Sequence, residues 1–335
     1  MKHLTLQNKD IILKIDPSGG AYTDFRFKDQ QVNPLDWELN DPALPPFKGH
    51  FLCFDRWGPP SEEEAKNGFK HHGEVNEQQW KIVGKTTDKD EVLESTMSCT
   101  LPMGGLQLTR NVKLSATHPV VKVTEHIKNL NKYGRMFNIV QHVTLAPPFL
   151  DRSTLFDNNT EKGFEDKEDG SLNQEKPVIR WPEAIHKKKQ IRLRQFQDKW
   201  PRVSSFVFNK NEKYGWVTAS NPDKNMLLGY IWKTNEYPWV NFWRSMENNE
   251  PQAYGIEFGT TGLHEPFPVI AKKGEIFGQK IYDFIDANEV IEKSFIAFLA
   301  KIPTDYRGVS QIHVNHAELT IREHNSSNRV IKYNI

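Results

Sequence analysis

Residues 4–29, LTLQNKDIILKIDPSGGAYTDFRFKD, alternate apolar and polar side chains on both sides of the tetrapeptide PSGG. Alternation with a period of two places every second side chain on the same face of a strand. Gly19 and Gly20 supply the permissive backbone that a tight turn between two strands needs. The stretch therefore predicts a β-hairpin that turns at PSGG.

The same alternation recurs along most of the chain. It is found in GLQLTRNVKLSA, VVKVTEHIKNL, SSFVFNKNEKYGWVTAS, MLLGYIWKT, EIFGQKIYDFI and SFIAFLAKI, each bounded by Gly, Pro, Asn or Asp, and in a final hairpin that turns at HNSSN. The one segment with helical character, EEEAKNGF, is ended early by Gly68. Short strands at regular spacing predict an all-β fold, a large sandwich with few short helices. Such sandwiches can exceed about 200 residues, so we expect one domain over residues 1–335.

Charge and cysteine usage narrow the function classes. Lys and Arg number 44 and Asp and Glu 43, so no global field would attract nucleic acid or a membrane, and we expect neither partner. Cys53 and Cys99 do not have the spacing of a disulfide framework or a zinc site, and we expect ordinary buried thiols. The N-terminal MKHLTLQNKD lacks the apolar core of a signal peptide, and no apolar run reaches the length of a membrane span. These features favour a cytoplasmic location.

Two stretches interrupt the strand pattern. Residues 157–176, DNNTEKGFEDKEDGSLNQEK, are charged and nearly free of aliphatic side chains, which predicts a long exposed loop. Residues 185–195, IHKKKQIRLRQ, are basic, but the overall charge balance favours a solvated strand or loop over a phosphate-binding surface.

Two titratable residues stand among apolar neighbours. His142 follows FNIVQ near the end of a predicted strand, and Glu257 lies between Ile256 and Phe258 in YGIEFGTTG. A buried carboxylate is costly unless it is paired or functional. A histidine near neutral pKa and a desolvated carboxylate could move one proton onto a substrate and another off it. Each residue could also be structural, His142 as a satisfied core histidine and Glu257 as half of an ion pair.

Further candidates lie in the segment FDRWGPPSEEEAKNGFKHHGEVNEQQW, residues 54–80. Arg56 and Trp57 could clamp a sugar, with guanidinium donors beside an apolar face, or form a structural cation–ring pair. His71 and His72 should alternate on a strand, so only one faces a given side, and we select His72. Trp243, in WVNFWRS, could stack on a ligand or pack in the core.

Metal and nucleotide chemistry have no motif in the sequence. His71, His72 and Glu74 lie close together, but neither HExxH nor a Cys/His pair with zinc spacing is present, so we expect no metal. The chain also lacks a phosphate-binding glycine loop before a helix, a nucleotide fingerprint and a GxSxG elbow.

The order of these segments resembles the galactose mutarotase-like family. The collinear segments are IDPSGGAYTDFRF, FLCFDRWGPP, HHGEVNEQQW, FNIVQHVTLAPPF, YGIEFGTTG and KKGEIFGQKIYDF, and they run along most of the chain. CFDRWGPP followed by HG and a tryptophan looks most similar to the hexose-6-phosphate mutarotase branch.

The resemblance implies a large antiparallel β-supersandwich whose concave face binds a sugar, and an aldose 1-epimerase that opens and recloses the sugar ring. By position, Glu257 would be the base that takes the anomeric proton and His142 the acid that protonates the ring oxygen. His72 and Arg56 would bind hydroxyls or a phosphate, and no cofactor would be needed. The partner would be a small-molecule sugar or sugar phosphate. The family's acidic sugar-binding residue has no matching motif here, and Asp198 and Asp223 are the candidates for it.

Two other functions use the same architecture. The protein could be a carbohydrate-binding protein without turnover. It could also be a polysaccharide lyase or glycosidase, with Glu257 and a partner such as Glu74 as the pair of carboxylates.

Overall fold

A computed structural model describes residues 3–39, 41–88, 91–165, 178–186, 189–196, 203–315, 317–325 and 329–335. The strands, in chain order, are β1 Leu4–Gln7, β2 Ile11–Ile15, β3 Tyr22–Phe27, β4 Glu38–Leu39, β5 Phe47–Lys48, β6 His50–Asp55, β7 Lys81–Asp88, β8 Glu91–Leu101, β9 Leu106–Leu114, β10 Val120–Asn129, β11 Arg135–Leu145, β12 Leu155–Asn158, β13 Thr160–Glu165, β14 Glu183–His186, β15 Lys189–Arg192, β16 Ser204–Phe208, β17 Tyr214–Asn221, β18 Met226–Lys233, β19 Trp239–Glu247, β20 Glu250–Gly259, β21 Glu275–Ile276, β22 Gln279–Lys280, β23 Asp283–Ile285, β24 Val290–Lys301, β25 Val309–Val314, β26 Glu318–Glu323 and β27 Val330–Asn334. The α-helices within these ranges are α1 Glu62–Lys66 and α2 Phe267–Lys273, and short 3-10 turns span Val75–Glu77 and Pro222–Lys224.

Two large antiparallel sheets form the body of the fold. One follows the order β1-β2-β3-β6-β11-β20-β19-β16-β13, with β23 paired to β11, and the other follows β12-β17-β18-β24-β10-β9-β8-β7. The smaller sheet β25-β26-β27 is the final hairpin with one added strand, and it packs on the second large sheet through a separate apolar cluster. The predicted all-β antiparallel sandwich with few helices is confirmed for the part of the chain that the structure describes.

The hairpin β2–β3 is formed by the alternating sequence around PSGG. Its strands pair from Ile11 opposite Phe27 to Ile15 opposite Tyr22. Gly19 and Gly20 have φ of +87° and +73°. A Cβ on Gly20 would stand 2.4 Å from the ring of Trp80, so this turn requires glycine for both its backbone angle and its close approach. The predicted hairpin is confirmed.

The main core lies between the two large sheets. Strand β11 shows the division of faces, because Ile139 and Val143 are in this core whereas Val140 belongs to an apolar cluster on the opposite face of the same sheet. Residues of even number in β11 therefore lie on the face that carries the candidate site.

A buried polar network connects the two sheets behind that face. Arg110 Nε of β9 donates to Glu125 Oε1 of β10 at 2.8 Å. Gln141 Nε2 of β11 donates to Glu125 Oε2 at 2.7 Å, and Gln141 Oε1 lies 3.1 Å from His50 Nε2 of β6. The network fixes how β11 lies against the opposite sheet, because a one-residue slip would leave buried charges unpaired.

Two local predictions were wrong or incomplete. Within the expected loop 157–176, residues 157–158 and 160–165 belong to β12 and β13, because pairing with β17 and β16 prevails over the polar composition. Residues 166–176 lie outside the described residues. EIFGQKIYDFI forms three short strands rather than one, because Phe277 and Gly278 turn the chain with φ of +57° and +72°.

Within the basic run, residues 185–186 and 189–192 belong to strands β14 and β15, which pair with each other. Residues 187–188 lie outside the described residues. Both cysteines are buried and free, as predicted. Within the described residues, no helix has the length and apolarity needed to cross a membrane.

Candidate active site

The centre of the site is a contact between His142 of β11 and Glu257 of β20. Their strands are neighbours, with Gln141 opposite Phe258 and Thr144 opposite Gly255. Continuing this register places His142 directly across from Glu257. His142 Nε2 and Glu257 Oε1 are 3.1 Å apart, and both side chains are buried. The two sequence candidates for acid–base chemistry are therefore brought together, although they stand far apart in the sequence.

The ring of His142 is held from two sides. Its Nδ1 lies 3.0 Å from Thr144 Oγ1, which is on the same face of β11 two residues further along. The ring also stacks on Phe51 of β6, with centroids 4.1 Å apart and planes inclined by 20°. These contacts fix the imidazole plane so that Nε2 points at Glu257.

Glu257 is held by Trp57 and given space by Gly255. Trp57 Nε1 donates to Glu257 Oε2 at 3.0 Å, while the other carboxylate oxygen faces His142. A Cβ on Gly255 would stand 2.8 Å from Glu257 Oε1, so the glycine two residues earlier keeps the position open. Trp57, expected to contact sugar, is buried and acts on the carboxylate.

Burial shifts both pKa values toward the neutral forms. Desolvation raises the pKa of Glu257 well above its usual range, and the hydrogen bond from Trp57 opposes this rise. Desolvation lowers the pKa of His142 well below its usual range, and nearby His264 lowers it further. Both shifts favour the form in which the Glu257 carboxyl carries the proton and the His142 imidazole is neutral, so the pair shares one proton.

His72 is locked to the segment before it by a reciprocal pair of hydrogen bonds. The Gly58 backbone N–H donates to His72 Nδ1 at 3.1 Å, and the His72 N–H donates to Gly58 O at 3.1 Å. His71 and His72 lie in a turn, with His72 at φ of +61°, so the expectation that they alternate on a strand was wrong. In this turn the ring centroids of His71 and His72 are 4.0 Å apart. The ring centroids of His72 and His142 are 5.4 Å apart.

His71, His72 and His264 form a three-histidine cluster whose ring nitrogens lie within 4.8 Å of one another. Burial lowers the pKa of all three, that of His264 to about 3, so the rings are neutral near pH 7. Because His72 Nδ1 accepts from Gly58, the proton of the neutral ring is on Nε2 and that nitrogen cannot bind a metal. The cluster thus offers two free lone pairs, fewer than the three protein ligands of catalytic zinc sites.

Arg56 is bound by other side chains, whereas Trp243 lies near the His142–Glu257 pair. Arg56 donates to Asp55 Oδ1 at 2.8 Å and to Glu64 Oε1 at 3.0 Å, and its guanidinium lies over the Phe267 ring, so its contacts are structural. Trp243, on the site face of β19, is half-buried with its ring 6.3 Å from His142. Its role as a ligand contact stays a prediction.

The two described carboxylates that were also considered from the sequence have surroundings other than the pair. Glu74 accepts hydrogen bonds from the backbone N–H groups of Met103, at 3.1 Å, and Gly104, at 2.8 Å. Asp223 is exposed in a 3-10 turn before β18 of the other sheet. Asp198 lies outside the described residues.

Sequence reasoning missed Phe51, Thr144, Gly255 and His264. Thr144 and Gly255 each stand two residues from a chosen residue in a predicted strand, so the period of two already placed them on the same face. His264 lies in the loop that directly follows β20, the strand that carries Glu257. Phe51 required knowing that β6 pairs with β11.

Comparison with known proteins identifies the fold. No protein-family model and no curated protein matches this chain. A solved structure of a galactose mutarotase related enzyme from Lactobacillus acidophilus superposes with a TM-score of 0.65 at 13% identity, covering 90% of this chain and 98% of that one.

Two further solved structures agree. A galactose mutarotase-like protein from Clostridium acetobutylicum gives a TM-score of 0.61 at 14% identity, with 89% of this chain and 95% of that one covered. A proposed aldose 1-epimerase from Escherichia coli K12 gives a TM-score of 0.63 at 11% identity, with 90% of this chain and 99% of that one covered. At these identities the likeness concerns the fold, and the chain has the galactose mutarotase-like β-sandwich fold.

Proposed function

We propose that the protein is an aldose 1-epimerase-like enzyme that interconverts the anomers of a sugar. The observation that carries the proposal is the buried 3.1 Å contact between His142 Nε2 and Glu257 Oε1. Anomer exchange needs one proton removed from the anomeric hydroxyl and one added to the ring oxygen, and this pair holds one acceptor and one donor side by side. The mutarotase-like fold of the structural neighbours supports the same reaction class.

The proton transfers follow from the contacts of each group. One proton passes from the Glu257 carboxyl to His142 Nε2 across their 3.1 Å contact, which leaves an ionised carboxylate and an imidazolium. Ionised Glu257, stabilised by the N–H of Trp57, then takes the proton of the anomeric hydroxyl, while His142 gives its Nε2 proton to the ring oxygen. Thr144 Oγ1 accepts the other imidazolium N–H. The bond from C1 to the ring oxygen breaks, C1 becomes an aldehyde, and rotation about C1–C2 followed by the reverse transfers closes the other anomer. The reaction balances without an electron carrier.

His72 and Trp243 are proposed to contact the sugar. Because Gly58 donates to His72 Nδ1, the proton of the neutral ring is on Nε2, which is left as a donor for a sugar hydroxyl. Trp243 offers an apolar face near His142. Trp57 is proposed as a positioning residue for Glu257.

The finer hypothesis, a hexose 6-phosphate substrate, needs a cation that faces the sugar. The guanidinium of Arg56 is already held by Asp55 and Glu64 and has 13% of its side-chain surface exposed. We therefore propose unphosphorylated aldoses as the first substrates. The glycosidase alternative needs a second carboxylate beside Glu257, and Glu74 is bound instead by the amides of Met103 and Gly104. A cytoplasmic location and a single domain remain predictions.

The test is α/β anomer exchange measured by NMR saturation transfer on glucose, galactose and glucose 6-phosphate at near-neutral pH. Wild type should speed exchange of at least one sugar. Glu257→Gln, whose amide oxygen can still accept from Trp57, should lose most of that gain. Glu74→Gln, the same change at another buried carboxylate, should keep it. If wild type accelerates no sugar while sugars still perturb its tryptophan fluorescence, the protein is a binding protein and the proposal fails.

A further inference from the structure

Five side chains form one row across the site face of the first large sheet. Ser205 of β16 lies opposite Asn241 of β19, and Asn241 lies opposite Glu257 of β20. His142 lies opposite Phe51. Since His142 and Glu257 face each other, the row reads Ser205, Asn241, Glu257, His142, Phe51. Adjacent members stand about 5 Å apart at Cβ.

Two polar atoms of this row are buried without a hydrogen-bond partner among the described residues. These are Asn241 Oδ1 and Ser205 Oγ, on side chains that are 0% and 1% exposed. Asn241 Nδ2 donates to Thr261 O at 3.1 Å, which fixes the amide and leaves Oδ1 as an acceptor. A buried polar group without a partner is costly, and such a pair beside a catalytic carboxylate indicates a ligand group that satisfies both atoms.

We infer that Asn241 and Ser205 form a subsite for the hydroxyl group next to the anomeric carbon of the sugar. This inference rests on the proposed function, because the row is aligned with the reacting atoms. Glu257 faces the anomeric oxygen and His142 the ring oxygen. In a pyranose, the ring oxygen and C2 lie on opposite sides of C1, so the substituent on C2 falls on the Asn241 side of Glu257.

The chemistry of the pair selects a hydroxyl over a charged group. A hydroxyl can donate to the fixed acceptor Asn241 Oδ1 and accept from Ser205 Oγ–H, which satisfies both atoms at once. An anion would be repelled by the carbonyl oxygen and by ionised Glu257. A sugar with hydrogen in place of the 2-hydroxyl would leave both atoms unsatisfied, so the subsite selects against 2-deoxy sugars.

The test compares glucose with 2-deoxyglucose and galactose with 2-deoxygalactose. For each sugar, NMR exchange gives kcat/KM and tryptophan fluorescence gives Kd. Wild type should prefer the hydroxylated member of a pair by about tenfold or more. Asn241→Leu, similar in size but without the acceptor, should lose about tenfold on the hydroxylated sugar and change less than about threefold on the deoxy sugar. Ser205→Ala should reduce the preference in the same direction and is the second variant if Asn241→Leu does not fold.

The two kinds of failure are distinguishable. If the Kd ratio shows the preference and its loss while no sugar is turned over, the subsite stands and the proposed epimerase activity falls. If turnover is present but Asn241→Leu weakens both members of a pair equally, the two atoms serve packing or a buried water and the subsite is overturned. Equal use of both members by wild type, or no binding of any sugar, overturns it as well.

Discussion

Trp57 Nε1 donates a 3.0 Å hydrogen bond to Glu257 Oε2 across 200 residues of sequence. The loop after β6 thus reaches over the site face and holds the carboxylate that faces His142. This contact lowers the pKa of a group whose burial raises it, so Trp57 helps to set the pH range over which Glu257 is ionised.

Replacing Trp57 with Phe should therefore shift the pH–rate profile. Without the indole N–H the pKa of Glu257 rises further, so the acid limb of kcat/KM should move to higher pH by about one unit. The profile of anomer exchange between pH 4 and pH 9 measures this. Trp232→Phe is the matched control, because it removes an indole hydrogen bond to a backbone carbonyl in the core, and it should leave the limb in place. If the acid limb of Trp57→Phe stays at the wild-type pH, the indole N–H does not help to set the pKa of Glu257.

Gly255→Ala should damage activity more than stability. The added Cβ would stand 2.8 Å from Glu257 Oε1, so the carboxylate must move away from His142. We expect kcat to fall by about tenfold or more, in line with the sensitivity of proton transfer to position. Gly84→Ala is the control in a strand, since its Cβ would meet Thr96 at an ordinary 4.0 Å. Equal kinetics for Gly255→Ala and wild type would show that Glu257 needs no such space.

The buried network predicts acid sensitivity through His50. Burial lowers its pKa to about 3, so the folded state keeps it neutral while the unfolded state gains a proton below about pH 6.5. The unfolded state then binds more protons, and stability falls with falling pH between these values. His50 should account for about 1 kcal/mol of the loss from pH 6.5 to 5.5. Urea unfolding should show that His50→Gln depends less on pH than wild type over this range, and equal slopes would contradict the neutral buried state.

Breaking the pair Arg110–Glu125 should be strongly destabilising. Their side chains are 1% and 0% exposed, so Glu125→Gln leaves a buried guanidinium without its counter-charge. The expected cost is about 3–5 kcal/mol, read from the urea midpoint and slope. Glu63→Gln breaks the exposed pair with Lys66 and should leave the midpoint unchanged. A small effect of Glu125→Gln would mean that the network does not hold the sheets together.

The sequence predicts local structure better than it predicts which distant strands pair with each other. The hairpin at PSGG follows from alternation and from two glycines at positive φ, which are local properties. His142 and Glu257 could be chosen because each is a polar side chain in an apolar strand. Their contact could not be predicted, because it depends on β11 pairing with β20 in one register.

The errors have the same origin. His71 and His72 were assigned to a strand because the turn that holds them depends on the reciprocal bonds between His72 and distant Gly58. The bonds of Arg56 to Asp55 and Glu64 likewise depend on how the chain turns after β6, and its role as a ligand contact stays a prediction. Phe51 and His264 complete the site from other segments of the chain. The sequence around each of them does not show that it contacts the His142–Glu257 pair.

The most direct test of the central claim compares anomer exchange in wild type, Glu257→Gln, His142→Asn and the double variant, on the sugar that wild type handles fastest. Because the two groups act as one proton-transfer unit, each single change should remove most of the acceleration, and the double change should remove little more. Unchanged exchange in either single variant, or losses that multiply in the double variant, would contradict a shared acid–base role for His142 and Glu257.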